Sequence, residues 1–150
     1  MKKGILFFAL LFLTAISFAQ IKSPAKWTYA AKKVGAGMYE VAVTVNLEKG
    51  WHIYSQHTPE GGPVPTSFDF IKNPLVTLQG SIKENGKLET HFEKLFGVDV
   101  KQFSNKVIFV QKVKVKANAK TSLSGNVEFM LCNDRECLPP TTQKFSVALK

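Results

Sequence analysis

The sequence predicts an all-β fold, an antiparallel sandwich of immunoglobulin-like type. Apolar residues recur at every second position along most of the chain, turn residues interrupt them at short intervals, and no segment sustains a helical period. Roughly seven to nine short strands punctuated in this way are the pattern of two packed antiparallel sheets. There is no cysteine pair flanking a tryptophan across the sheets, so an antibody-type domain is not expected.

The elements follow in order. Trp27–Ala31 is a short apolar start. Tyr39, Val41, Val43, Val45 and Leu47 then share one face of a strand, with Glu40, Thr44 and Asn46 on the other. A turn at Glu48-Lys49-Gly50 leads into Trp51-His52-Ile53-Tyr54. The next piece, Ser55–Thr66, is rich in Pro and Gly and is the longest irregular stretch, a length at which loops are often functional. Ser67–Ile71, Val76–Gly80 and Lys87–Phe92 read as further short strands. Val107, Phe109, Val113 and Val115 alternate with Lys106, Lys112, Lys114 and Lys116, giving one dry and one wet face. Val127, Phe129 and Leu131 run up to the first cysteine, and Phe145, Val147 and Leu149 close the chain.

Residues 1–19 have the build of an export signal: Lys2 and Lys3, an apolar run, then the small residues Ser17 and Ala19. Cleavage is expected after Ala19, with residues 20–150 forming one domain. The apolar run is shorter than the ~20 residues of a membrane span, so no stable membrane insertion is expected after cleavage. Lys2 and Lys3 are two of the 20 Lys and Arg; without them 18 face 11 Asp and Glu, a net charge near +7. These cations alternate with apolar residues along strands rather than gathering among stacking aromatics. They read as a solvated surface, and no nucleic-acid partner is expected.

The chain has two cysteines, Cys132 and Cys137, in Met130-Leu-Cys-Asn-Asp-Arg-Glu-Cys-Leu-Pro-Pro140. In an oxidising compartment the pair can bond to itself as a staple. As a staple it would close a loop worth only ~2 kcal/mol in the chain-entropy model, against ~3 for a fifteen-residue loop. Pro139 and Pro140 lack backbone donors, which puts the pair at a strand end where a thiolate can reach it. Staple and exchange reagent both remain open on these grounds. The spacing is not the Cys-x-x-Cys of a thioredoxin helix, and Asp134 and Glu136 would oppose thiol ionisation while Arg135 would favour it. The pair therefore reads as a substrate for another protein's reactive cysteine. His52, His57 and His91 could add metal ligands, but none shows a ligand spacing, so no metal site is expected.

The segment Cys132-Asn-Asp-Arg-Glu-Cys137-Leu-Pro-Pro-Thr141, with the strand Lys144–Leu149 behind it, resembles the N-terminal periplasmic domain of the membrane disulfide reductase DsbD. The resemblance extends to Gly50-Trp-His-Ile-Tyr54 and to His91-Phe-Glu-Lys-Leu-Phe-Gly97. It implies an immunoglobulin-like sandwich with a redox pair at one end. It also implies a thioredoxin-like donor domain and periplasmic thiol proteins as acceptors, and no cofactor. Carried over, Cys137 forms the mixed disulfides and Cys132 resolves them. Glu93–Gly97 matches the family's cap loop, with Leu95 or Phe96 as the lid, Tyr54 as a pocket wall and Glu93 as a carboxylate tuning the thiols. The cysteine spacer is one residue shorter than in the best-known members. The family domain is normally fused to a membrane electron carrier; for a chain ending at Lys150 the expectation is either that a separate membrane protein reduces it or that the domain has been put to another use. The competing reading is a non-catalytic envelope binding or structural module, with an inert disulfide and a ligand held by the Ser55–Thr66 loop.

Overall fold

The computed structural model describes residues 23–93 and 96–150. The expected export signal, residues 1–19, and the lid candidate Leu95 lie outside the described residues. The described residues form nine strands: β1 Ala25–Gly35, β2 Met38–Leu47, β3 His52–Tyr54, β4 Ser67–Phe70, β5 Val76–Glu93, β6 Val98–Val115, β7 Thr121–Phe129, β8 Leu131–Cys132 and β9 Thr141–Leu149. One 3-10 turn, Lys116–Asn118, is the sole helical piece among the described residues. No helix among them is long and apolar enough to cross a membrane.

Two antiparallel sheets make an immunoglobulin-like sandwich. In the larger, the order runs β1-β2-β6-β3-β8, with β5 paired to the other edge of β6. The smaller is β4-β7-β9. The alternation read from the sequence becomes the core: Val41, Val43, Val45, Val107, Phe109, Val113, Val127, Val147 and Leu149 are buried, because period-two residues share one sheet face. Trp27 meets Phe129 at 4.7 Å and Phe68 meets Phe109 at 5.2 Å between ring centroids, joining the sheets by aromatic packing.

The middle of the chain differs from the expectation of short separate strands. Val76–Gly80 and Lys87–Phe92 belong to one 18-residue strand, β5, and β6 is as long and begins at Val98. Two irregularities, between Gln79 and Lys83 and between Gly86 and Leu88, hide this continuity by breaking the period. Buried Gln111 caps the first, donating from Nε2 to the carbonyls of Gln79 and Gly80 at 3.3 and 3.2 Å. At the second, Asn105 takes a left-handed φ of 63°. There β6 exchanges one partner for another: Lys106–Lys114 pair with β2, while Gln102–Ser104 pair with β3. Gly86 lies across that bend, where an added Cβ would come within 3.0 Å of Phe103 Cδ1. The bend positions β3 and β8 beside the far half of the β5–β6 hairpin.

Candidate functional site: the Cys132–Cys137 groove

β7 ends at Phe129 in the smaller sheet, and the chain then crosses to the larger one for only Leu131 and Cys132. β8 pairs with β3, His52 opposite Cys132 and Ile53 opposite Leu131. Asn133 then folds the chain back. Its Oδ1 accepts from the backbone N–H groups of Arg135 and Glu136 at 2.8 and 2.9 Å, and its own N–H donates to the Glu136 carbonyl at 2.9 Å. An asparagine side chain that satisfies the next amides is the usual device of a tight turn. Leu138 N–H donates back to the Leu131 carbonyl at 2.8 Å, closing the hairpin. Pro139 and Pro140 then carry the chain to β9. Across the hairpin Cys132 and Cys137 are joined in a disulfide, with Cα atoms 4.0 Å apart.

The two sulfur-bearing residues differ in access. Cys132 is 2% exposed, whereas Cys137 is open to solvent. Strand alternation explains the buried one. Ile53, Phe103 and Leu131 point into the main core, so their neighbours Tyr54, Gln102 and Cys132 face the opposite side of the sheet. On that side Tyr54, Val100 and Cys132 form a second, small cluster with Val98 and Met130 packed against it.

A groove of about 430 Å³ runs along this face. The disulfide, Tyr54, Glu93 and Phe96 all line it, so three of the positions expected beside the sulfurs are brought to them: Tyr54 on β3, and Glu93 and Phe96 where β5 gives way to β6, with Cys132 and Cys137 on the hairpin. That turn is tight, with Gly97 N–H donating to the Glu93 carbonyl at 2.8 Å and Gly97 at a φ of 69°. It holds the half-exposed Phe96 ring over the groove.

Three further groove residues were not expected there. His52 and His91 stand in the segments that carry the resemblance, but neither has a role assigned from the sequence beyond that of a possible metal ligand. His52 Nε2 and the Tyr54 hydroxyl share a hydrogen bond at 3.2 Å, their rings edge to face. The signal was available, since His52 and Tyr54 are two apart on a strand. His91 Nε2 lies 3.7 Å from Glu93 Oε2. Gln102 is the third; its Oε1 is buried with no hydrogen-bond partner, and nothing in Lys101-Gln102-Phe103-Ser104 announces it. Burial pushes the Tyr54 phenol up to about 12, helped by the negative charge of Glu93. Burial lowers the His52 pKa, and His91 adds to the lowering; Asp134, Glu89 and Glu93 oppose it.

The Ser55–Thr66 loop is tied down rather than open. Glu84 accepts from Ser55 Oγ at 2.7 Å and from Gln56 N–H at 2.8 Å, and Thr58 Oγ1 donates to the Lys101 carbonyl at 2.6 Å.

The family model for the N-terminal part of the thiol:disulfide interchange protein DsbD matches residues 22–149. The chain belongs to the DsbD N-terminal family. Among solved structures, the N-terminal periplasmic domain of ScsB from Proteus mirabilis is similar at 18% identity and a TM-score of 0.58, over 85% of this chain. The chain spans 47% of that domain's length. The DsbD N-terminal domain of Neisseria meningitidis, in its reduced form, is similar at 13% identity and a TM-score of 0.52, over 81% of this chain and 84% of that one. Both likenesses are likenesses of fold. No curated protein sequence matches the chain. The description of that family names thiol:disulfide interchange, and this chain carries a disulfide between Cys132 and Cys137.

Proposed function

We propose that the chain is an exported, periplasmic electron relay that takes electrons from a membrane-borne or thioredoxin-like donor and passes them to thiol proteins through Cys132 and Cys137. The observation that carries this reading is the asymmetry of the pair: one sulfur-bearing residue open, the other buried, in a groove of the size a partner loop could enter. In exchange, the sulfur that a partner can reach is the one attacked. A donor thiolate bonds to Cys137 Sγ, the Cys132–Cys137 bond breaks, and Cys132 Sγ leaves with the electron pair. The donor's second thiol then attacks its own mixed-disulfide sulfur and frees Cys137, leaving the dithiol. The reduced pair runs the same steps backwards on an acceptor disulfide, Cys137 attacking and Cys132 resolving. Tyr54 serves as a wall of the groove, Phe96 as the lid side chain, and Glu93 as a negative charge that resists thiolate formation.

The test is a redox titration of the pair, by thiol alkylation and mass spectrometry across dithiol buffers. The expected midpoint lies roughly between −270 and −180 mV, the range of thioredoxin and disulfide isomerase. A pair that stays oxidised below about −300 mV is a structural staple, and the relay reading would then be abandoned.

A further inference from the structure

We propose that His52 is the proton acceptor for Cys132, and that the rate at which Cys132 closes the disulfide is set by the neutral form of this histidine. The inference rests on the relay reading above and adds the group that activates its buried sulfur.

The chemistry poses the problem. Only a thiolate attacks a mixed disulfide. Cys132 is 2% exposed and sits against Tyr54 and Val100, surroundings that oppose its ionisation. Water has little access, and the groove contains Glu93, Asp134 and Glu136, whose charges oppose ionisation too. A base must therefore stand beside the sulfur. His52 is directly opposite Cys132 in the β3–β8 ladder, and such cross-strand neighbours hold their Cβ atoms ~5 Å apart on the same sheet face. Both line the same groove.

The histidine is also prepared for the task. It is half-buried, and burial with the nearby His91 keeps its pKa below the ordinary 6.5, so near neutral pH the imidazole is uncharged and can accept a proton. Its Nε2 is engaged with the Tyr54 hydroxyl. With Nε2–H donating to that oxygen, Nδ1 carries the free lone pair. The other charged groups around it are Glu89, His91 and Glu93 from β5 and Asp134 from the hairpin, with Arg135 and Glu136 at the rim.

Cys132 S–H gives its proton to His52 Nδ1, and Cys132 Sγ attacks Cys137 Sγ of the mixed disulfide. The Cys132–Cys137 bond forms, the bond from Cys137 to the partner breaks, and the partner sulfur leaves with the electron pair. It takes up a proton from solvent or from the imidazolium. In the reverse direction the imidazolium protonates the departing Cys132 thiolate.

The experiment uses the reduced chain and oxidised glutathione. The first attack, by Cys137, yields a glutathione adduct; the second, by Cys132, consumes it, and mass spectrometry after acid quench follows both. In the native chain, adduct decay is expected to rise with pH through a titration below 6.5 and then level. In H52Q the adduct should persist at least tenfold longer at neutral pH, and its decay should climb only in the buried thiol's own range, above the ordinary ~8.5. Added imidazole should restore part of the rate, which a merely structural role for His52 would not allow. Equal decay rates and pH profiles in the two chains would overturn the inference while leaving the relay intact. If H52Q does not fold, the native profile decides: a rise confined to the thiol range overturns it. A native chain that forms no adduct and shows no exchange would instead remove the relay reading itself.

Discussion

At the scale of the residue, two identical side chains are set apart by their places on the hairpin, five positions from one another. Cys132 continues the β8 alternation into the small cluster with Tyr54 and Val100, while Cys137 stands beyond the Asn133 turn in solvent. Reduced protein treated with a limiting alkylating agent is accordingly expected to lose Cys137 at least tenfold faster than Cys132, read by peptide mass spectrometry. Equal rates would contradict the assigned order of attack. Much of this site was legible beforehand. The cysteine spacing, the prolines behind it and the segments around Tyr54 and Glu93–Gly97 carried the resemblance, and from them Cys132, Cys137, Tyr54, Glu93 and Phe96 do line one groove. What stayed hidden is pairing across strands. His52 is 80 positions from Cys132 in the chain, and only the ladder register brings them opposite. Gln102 was invisible for the same reason, because a buried polar side chain looks like any surface glutamine until its neighbours are known.

At the scale of the element, the β5–β6 hairpin does the positioning. Its first half builds the sandwich with β2, and its second half carries the groove with β3. The hinge between them is the bend at Gly86 and Asn105. An alanine at position 86 would press its Cβ against Phe103 Cδ1 at 3.0 Å and the Lys106 carbonyl at 3.1 Å. Phe103 is fully buried, so it has no room to retreat. Gly86→Ala should therefore destabilise the fold by about 1–3 kcal/mol, the usual range for an overpacked site, measured by urea unfolding. A neutral effect would mean the bend is softer than described. This bend explains the main error of the sequence reading. Each irregularity puts two extra residues on one strand and interrupts the ladder, so a continuous strand reads as two fragments separated by Ser81–Gly86.

At the scale of the whole molecule, the disulfide lies outside the structure that holds the fold together. The core of buried valines and aromatics joins two sheets, whereas the bond spans five positions within one hairpin. Closing so short a loop contributes only ~2 kcal/mol in the chain-entropy model. Reduced protein should remain folded, with far-ultraviolet dichroism unchanged and unfolding shifted by no more than about that amount. Global unfolding on reduction would make the bond a staple. The two-faced sheet also has a historical consequence. Along β3, β6 and β8 the sandwich owns Ile53, Phe103 and Leu131, and the sulfur chemistry owns the residues between them. Under the proposed relay, selection for folding and selection for electron transfer act on alternate letters of the same words. Relatives that keep the architecture while changing partners should diverge in an interleaved pattern, every second position drifting at its own tempo.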